Sequence, residues 1–260
     1  MTGAEPFAAR QYVGLLLRWT RRDLESRYRR SAISIAWAIV APLLQVALYV
    51  FVFGVIFDQS GGDVPYLSYV LAGMVVYRIV TAGLGVNRCF TDQRDLLGHL
   101  AFPRELLPMV QVLVAVVDLL VLVPTLLVVA VVQGVELSAW VLLAPVVLLG
   151  ALVLAVGLGI FASTVQVFVG DIAFVIGFVT QLLFFASPIS YPPDRIPEQL
   201  GWLLRVNPIS VFGEALRSVV LRASAPSWPL LGAHLVLAVL VLVGAVAHLR
   251  AVGHRIVDLG

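Results

Sequence analysis

An uncharged apolar run of 24 residues, 34–57, lies directly behind a cluster of arginines near the start of the chain. About 20 apolar residues cross the hydrocarbon core of a bilayer, so this run predicts a transmembrane helix. Six arginines lie between Arg18 and Arg30. Because arginine-rich flanks stay on the cytoplasmic side, they predict that the helix begins in the cytoplasm.

The segment before this run predicts an amphipathic helix that lies along the cytoplasmic leaflet. At about 100° per residue, its two opposite arcs have different chemistry. The basic arc carries Arg18, Arg21 and Arg22, and the apolar arc carries Tyr12, Val13, Leu15, Leu16, Leu17 and Trp19. An ordinary basic flank with no defined helix is the alternative. A cleavable signal peptide is not predicted, because the apolar run is too long and lacks a small-residue cleavage site.

The composition predicts an integral membrane protein, since 61% of the residues are hydrophobic and only 12% are charged. All 17 basic residues are arginine. The absence of lysine excludes a Walker A phosphate loop, which needs that residue at a fixed position. The single cysteine, Cys89, excludes an internal disulfide, and no thiolate metal site is expected.

Six stretches predict spans, which would place both termini on one side of the membrane. Seven arginines precede the first stretch, three lie in 88–108 and two follow residue 249, whereas the short loops 58–66 and 133–139 contain none. Long segments such as 191–229, with four arginines, carry little weight in this rule. We therefore expect cytoplasmic termini. The predicted spans are 34–57, 67–87, 109–132, 140–165, 172–190 and 230–249.

The inner loop between the second and third spans predicts a short charged helix. Thr91 is a candidate N-cap for a helix that runs to Leu100, and Pro103 and Pro108 would break the chain before the third span. Such a helix is suited to docking a soluble partner. A solvated connector is the alternative.

The outer segment before the last span is divided by prolines into two candidate helices, 196–204 and 209–221. Each is too short to cross a bilayer. Non-helical backbone at membrane depth is tolerated only where protein covers it or where it lines a cavity. A pair of helices that re-enters the membrane from the outer face and a loop that lies on the surface are both open.

No catalytic constellation is present, and the four histidines are scattered. Aromatic side chains are plentiful, and most suit membrane interfaces and lipid-facing surfaces. A subset is expected to line a pathway or gate, because sugar rings stack on aromatic faces. The candidates are Trp37, Tyr49, Tyr77, Phe178, Phe185, Tyr191, Trp202 and Phe212.

Two charged residues, Arg78 and Asp118, lie deep within predicted spans. Each is nine residues from the inner end of its span, which places both roughly 14 Å from the cytoplasmic boundary. A charge at that depth needs a partner or water. Either the two form an ion pair, or each faces a water-filled pathway separately.

Several motifs resemble bacterial permeases of the ABC type that export polysaccharides such as O-antigen, teichoic acid or capsule. The first is RDLESRYRRSAISIAWAIVAPLL, at the start of the first span. The others, in chain order, are AFPRELLP, VDLL, GDIAFVIGFVTQLLFFASPISYP, IPE, VNPI and EALR. The resemblance covers nearly the whole chain.

The resemblance implies a homodimer of permeases above two separate cytoplasmic ATPase subunits. It implies that the N-terminal helix is an interface helix, with Arg18, Trp19, Arg21 and Arg22, and that 196–221 forms an outer gate. It also implies that 91–102 is the coupling helix, whose ATPase contacts are Asp92, Arg94, Asp95, Leu96 and His99. The chain departs from the family pattern at Gln166, Phe168 and Gly170, where relatives often carry basic residues.

We therefore expect an all-α membrane protein with six transmembrane helices, an N-terminal interfacial helix and two short re-entrant helices. Residues 1–33 would form the cytoplasmic interface segment and 34–260 the permease domain, in the plasma (inner) membrane. The expected function is a permease subunit of an ATP-driven exporter of lipid-linked polysaccharide, with membrane lipids around it and neither a cofactor nor nucleic acid. The alternatives are an ABC exporter subunit for another amphiphile, such as a drug or lipid, an ATPase-independent carrier, and a membrane-bound glycan enzyme.

Overall fold

The computed structural model describes residues 9–28, 32–92, 103–117 and 122–258, and within these ranges every regular element is a helix. Eleven α-helices are defined there: α1 Ala9–Tyr28, α2 Ala32–Tyr49, α3 Tyr66–Gly85, α4 Cys89–Asp92, α5 Leu106–Val117, α6 Leu122–Val132, α7 Ala144–Phe168, α8 Ile172–Ala186, α9 Gly201–Val206, α10 Pro208–Val220 and α11 Trp228–Asp258. A π-helix, Val50–Ile56, continues α2, and 3₁₀ turns lie at Ala139–Leu143, Pro193–Arg195 and Glu198–Leu200.

Four stretches of the described chain are long and apolar enough to cross a membrane. They are Tyr66–Gly85, Leu106–Val132, Ala139–Phe168 and Trp228–Gly253. Two shorter apolar helices, Val40–Ile56 and Ile172–Ala186, accompany them. The fold is thus an all-helical bundle with four candidate spans, and the other two predicted spans correspond to the shorter helices.

The centre of the bundle is built from α3, α7 and α11, which approach closely through small residues. A Cβ added to Gly83 of α3 would lie 2.0 Å from the carbonyl oxygen of Ala155 in α7. A Cβ added to Gly157 of α7 would lie 2.8 Å from the backbone nitrogen of Leu242 in α11. Small residues let membrane helices pack backbone against backbone, which fixes the relative positions of these three helices.

Helix α10 lies inside this bundle and packs on α3, α7 and α11. Its apolar residues are almost all buried, and Phe212 is completely enclosed. A Cβ added to Gly150 of α7 would lie 2.9 Å from the Phe212 ring, so a side chain there would collide with it. The side chain of Asn207 begins α10 by accepting a hydrogen bond from the backbone N–H of Ile209 (3.0 Å).

The structure differs from the sequence predictions at several helix ends. Thr91, the predicted N-cap, lies within α4, where its hydroxyl donates to the carbonyl of Arg88 (2.9 Å). The rest of the helix predicted to run to Leu100 lies outside the described residues. Pro108 does not break the chain, because it lies in the first turn of α5, where a helix tolerates proline. The helix predicted over 172–190 stops at Ala186, since Ser187 is extended and Pro188 follows.

Candidate functional site

The most elaborate polar site lies where the chain leaves α8, at the end of the bundle that is predicted to face outward, and we name it the outer junction. Two tyrosines of α3 donate hydrogen bonds to carbonyl groups of the non-helical backbone here. Tyr66 donates to the carbonyl of Ser190 (2.7 Å), and Tyr69 donates to those of Pro188 (3.1 Å) and Tyr191 (2.9 Å). Backbone groups that water does not reach require such partners, so α3 supports the break in α8.

Arg217 of α10 completes this outer junction from the opposite side. Its side chain is only 1% exposed, and its Nη2 donates to the carbonyl of Pro188 at 2.7 Å. Its Nε donates to the carbonyl of Tyr69 at 3.2 Å, and the guanidinium lies over the Tyr69 ring. Glu214, one turn earlier, provides a carboxylate 3.6 Å from Nη1. One buried cation therefore joins α10, α3 and the segment after α8.

A second arginine ties the same helix to the outer loop before α3. Arg222 donates to both oxygens of Asp63, at 3.0 and 2.8 Å, and it also contacts Glu214. Burial alone would lower the pKa of Arg222, but the two carboxylates outweigh burial and raise it. The group is therefore a permanent cation, and its two carboxylate partners, Asp63 at Nε and Glu214 at Nη1, fix its orientation.

A cavity of about 290 Å³ opens beside this junction, between α9, α10 and the start of α11. Its walls are mainly apolar, with a few polar side chains among them. Lining residues include Leu204, Arg205, Ser210, Glu214, Leu230 and Leu231.

A polar and aromatic seam lies deeper, where α2, α3 and α8 meet. Arg78 donates from Nη2 to the Gln45 side-chain oxygen, and the Gln45 amide donates to the Tyr49 hydroxyl at 2.9 Å. The Tyr49 ring stacks on Phe184, with centroids 4.6 Å apart, and Tyr77 meets the same ring edge-on at 5.5 Å. We name this group the mid-membrane seam.

At the opposite end of the bundle, which is predicted to face the cytoplasm, α5 is bonded to both α1 and α11. The Tyr12 hydroxyl donates to the sulfur of Met109 at 3.2 Å, and Arg250 pairs with Glu105 at 3.0 Å. Arg104 donates to the carbonyl of Gly253. Burial, with a smaller contribution from Glu105, raises the pKa of Tyr12 to about 12. The N-terminal helix is therefore packed against the bundle through a neutral phenol.

Residues 15–221 match the family described as ABC-2 type transporter. The chain belongs to the ABC-2 type transporter family. The match covers most of the chain, including the outer junction and the mid-membrane seam. The resemblance that the sequence motifs indicated is confirmed at the level of the family.

Similar curated proteins carry the name "O-antigen export system permease protein RfbA". One from Myxococcus xanthus is 29% identical over 202 residues, which cover 76% of this chain and 77% of that protein. One from Klebsiella pneumoniae is 26% identical over 199 residues, which cover 75% of this chain and 76% of that protein. As an ABC-2 transporter with several apolar helices of spanning length, the chain is a multi-pass membrane protein.

The structure brings together only some of the aromatic residues that were predicted to line a pathway. Tyr49 and Tyr77 belong to the mid-membrane seam, and Tyr191 lies at the outer junction, where its hydroxyl donates to the carbonyl of Phe185. Phe178 and Phe185 project from α8 and are 63% and 56% exposed. On its own, this exposure is compatible with lipid, a second subunit or a pathway.

Three further aromatic residues were predicted to line a pathway or gate in this ABC-2 transporter, namely Trp202, Phe212 and Trp37. Trp202 of α9 is 57% exposed. The Phe212 ring is completely buried against the Gly150 region and His234, where it packs α10 on α7 and α11. The side chain of Trp37 lies outside the described residues.

The structure describes only some of the predicted interface-helix and ATPase-coupling residues. Arg18, Arg21 and Arg22 are exposed on α1, where Arg21 pairs with Glu25 at 2.8 Å, and Trp19 is half-buried. Asp92 is exposed at the end of α4. Of the other predicted residues, Arg94, Asp95, Leu96, His99 and Asp118 lie outside the described residues.

Gln166 lies at the loop between α7 and α8, where the chain departs from the pattern that the sequence resemblance implies. Its side chain is buried, and its amide donates to the carbonyl of Gly170 at 2.7 Å. The loop between α7 and α8 is therefore closed on itself by a neutral side chain.

The sequence analysis missed Arg217, which it counted only as one of four arginines in a long outer segment. The available signal was the spacing of Glu214 and Arg217, one helical turn apart within the EALR motif. That spacing places both on one face of a helix, yet it does not reveal that the face is buried.

Proposed function

We propose that this ABC-2 transporter is the transmembrane permease subunit of an ATP-driven exporter that moves lipid-linked polysaccharide from the cytoplasm across the plasma (inner) membrane. The observation that carries the proposal is the similarity to O-antigen export permeases over about three quarters of both chains. The family supports a partner ATPase, which hydrolyses ATP in place of this subunit. The lysine-free sequence agrees, because it lacks a Walker A loop.

The proposal includes six membrane crossings with both termini in the cytoplasm. The four long stretches supply four of them. Residues 32–56, α2 with its π-helix, supply the first crossing. The fifth is formed by α8, whose 15 residues span only about 22 Å, and by the extended segment that α3 and α10 hold in place. Residues 1–33 form a cytoplasmic interface segment, and residues 34–260 form the permease domain. The distribution of arginines supports the cytoplasmic placement of both termini.

Helices α9 and α10 form the outer gate in this proposal, with α10 inserted from the outer face. Arg217 contacts the Gly73 region, seven residues into α3, and Phe212 contacts Gly150, six residues into α7. At 1.5 Å per residue, both lie roughly 10 Å below the outer ends of those helices. Charged and polar groups at such depth need partners, and the outer junction provides them.

Two permease subunits and two cytoplasmic ATPase subunits make up the proposed transporter. Aromatic side chains line its proposed pathway. They are Phe178 and Phe185 on α8, together with Tyr49, Tyr77, Tyr191 and Trp202. The ATPase would dock on 91–102, through Asp92, Arg94, Asp95, Leu96 and His99. The exposed carboxylate of Asp92 supports this placement.

Deletion of the gene tests the function directly. Surface polysaccharide should disappear and lipid-linked polysaccharide should accumulate inside the cell, and both should be reversed by the wild-type gene. Unchanged surface polysaccharide, together with altered drug resistance or lipid composition, would instead identify an exporter of another amphiphile.

Coupling is tested by truncating Asp92, Arg94 and Asp95 together to alanine. We expect normal membrane insertion but loss of export, because ATP hydrolysis is no longer transmitted to the helices. The matched control truncates Asp194, Arg195 and Glu198, which have the same charges on the outer side. Normal export in the first triple variant would overturn the assignment of the coupling segment.

A further inference from the structure

Arg78 is a cation in the middle of a membrane helix. It lies twelve residues after Tyr66 and seven before Gly85, which places it about 18 Å and 10 Å from the two ends of α3. The Arg78 side chain is half-buried. Ionisable residues at this depth face the protein interior or a water-filled cavity and not lipid, because a charge in hydrocarbon costs several kcal/mol. The partly open side of the seam therefore faces a water-filled cavity or another protein surface, and not lipid.

The neighbours of Arg78 leave hydrogen-bond donors available. The Gln45 side-chain oxygen accepts from Arg78, so its amide nitrogen faces Tyr49 and donates to the phenol oxygen at 2.9 Å. Because the Tyr49 oxygen accepts this bond, its own proton is free to be donated elsewhere. Nε of Arg78 is buried and has no hydrogen-bond partner among the described residues. The guanidinium and the Tyr49 hydroxyl together present positive charge and N–H and O–H donors.

The other side chains of the seam do not neutralise this arrangement. The Tyr77 hydroxyl donates to the carbonyl of Thr180 at 3.1 Å, and the Thr81 hydroxyl donates to the carbonyl of Tyr77 at 2.8 Å. None of the salt bridges found in the described part of the chain includes Arg78. Aromatic rings surround the donors, with Phe184 stacked on Tyr49.

We propose that Arg78, held by Gln45 and assisted by Tyr49, binds an anionic oxygen group of the substrate, a phosphate or a carboxylate, within the translocation pathway. This inference rests on the proposed function and names the substrate chemistry that the seam selects. A guanidinium and a hydroxyl match the oxygens of such groups, and the adjacent ring faces suit a sugar. The anion has two possible sources, the phosphate that links glycan to lipid and acidic groups of the glycan itself.

The competing assignment for Arg78 is an ion pair with Asp118, which lies outside the described residues. The two assignments differ in what happens when Arg78 is neutralised. Loss of an ion pair leaves a buried carboxylate without compensation and lowers the folded yield, which is restored when Asp118 is also neutralised. Loss of a substrate contact leaves the yield unchanged and weakens anion binding.

The test uses the purified complex of permease and ATPase, with binding followed by microscale thermophoresis. The probes are geranyl diphosphate, an oligogalacturonate and a neutral dextran oligosaccharide. We expect wild type to bind at least one anionic probe, more weakly at high salt, and Arg78→Gln to weaken that binding about tenfold or more. Arg78→Lys should restore part of it. The anionic probe that binds identifies the source of the anion.

The control is Arg195→Gln, which neutralises an exposed arginine of the 3₁₀ turn Pro193–Arg195, outside both the seam and the proposed outer gate. It should leave binding unchanged. Equal binding of the anionic probes to wild type and Arg78→Gln, or no binding to either, would overturn the inference. Folded yield that falls in Arg78→Leu and recovers in the double variant with Asp118→Leu would also overturn it, in favour of the ion pair. None of these outcomes affects the export phenotype of the gene deletion, which tests the proposed function separately.

Discussion

The guanidinium carbon of Arg217 lies 3.7 Å from the centroid of the Tyr69 ring, and both side chains are buried. Nε of the same arginine donates to the Tyr69 carbonyl at 3.2 Å. One residue thus contacts both the ring and the backbone of its neighbour, which fixes α10 against α3. Since Tyr69 also holds the segment after α8, the outer halves of three helices form one connected unit.

Replacement of Arg217 by leucine should destabilise this unit. The carbonyls of Tyr69 and Pro188 would lose charge-assisted donors inside the bundle. Glu214 would also lose one of its two cations. We expect a loss of roughly 2–4 kcal/mol, visible as a lower midpoint of thermal unfolding in detergent. Arg205→Leu is the control, because Arg205 is exposed. Equal midpoints for the two variants would contradict the assigned role of Arg217.

Gly83 provides a test of the close contact between α3 and α7. A Cβ at this position would lie 2.0 Å from the backbone carbonyl oxygen of Ala155, which cannot move without shifting α7. We expect Gly83→Ala to cost about 1–3 kcal/mol and to lower the folded yield. Gly85→Ala, in the same helix, meets nothing within 4 Å and should fold as wild type does. Similar yields of the two variants would mean that the helices do not approach closely here.

The sequence predicted the long apolar helices well because hydrophobic length is a local property. The two short helices before the last span were also anticipated, since proline and helix length are visible in the chain. The ends of α8 and α11 were less well predicted. Pro188 favours the end of α8 locally, but the carbonyls that follow are held by Tyr66, Tyr69 and Arg217, and such contacts between distant residues are not visible in a single sequence.

The same limitation applies to the candidate site. The position of Arg78 deep in a predicted span was enough to make it a candidate site residue. Its partner, Gln45, is 33 residues away in the sequence, so that contact can be recognised only in the folded structure. Phe212 and Trp202 belong to similar apolar segments, yet one is enclosed and the other is exposed. Which face of a short helix is buried depends on the helices around it, and hydrophobic pattern alone does not determine this.

The insertion of α10 predicts a contrast in labelling between the two short outer helices. In a Cys89→Ser background, an impermeant maleimide should label Leu200→Cys and Trp202→Cys, whose native side chains are exposed. It should not label Ala215→Cys or Val219→Cys, whose native side chains are buried in α10. These substitutions in α10 change side-chain size little, so we expect the fold to be retained, and misfolding would increase labelling instead of causing protection. Uniform labelling of all four would indicate a loop on the surface.

Cys89, the first residue of α4, offers a test of burial just beyond the C-terminal end of α3, because it is the only cysteine in the chain. Its side chain is buried, and burial raises the pKa of its thiol from 9.0 to about 12, although a hydrogen bond with Ser163 opposes this. At pH 9 about half of an exposed thiol is thiolate, compared with about 0.1% of one with a pKa near 12. Maleimide labelling of the folded protein should therefore be about 500-fold slower at pH 9 than labelling of an exposed thiol, although both rates rise with pH.

Unfolding in dodecyl sulfate should restore rapid labelling of Cys89 that rises with pH. Because the pKa of the thiol is higher in the folded protein, its contribution to stability is complete below pH 9 and is lost as the pH rises toward 12. Cys89→Ala should therefore flatten part of the alkaline decline in the unfolding midpoint, measured in detergent between pH 8 and pH 11. Rapid labelling of the folded protein at pH 8 would show that the inner end of α3 is open to water and would contradict the packing of Cys89 on α7.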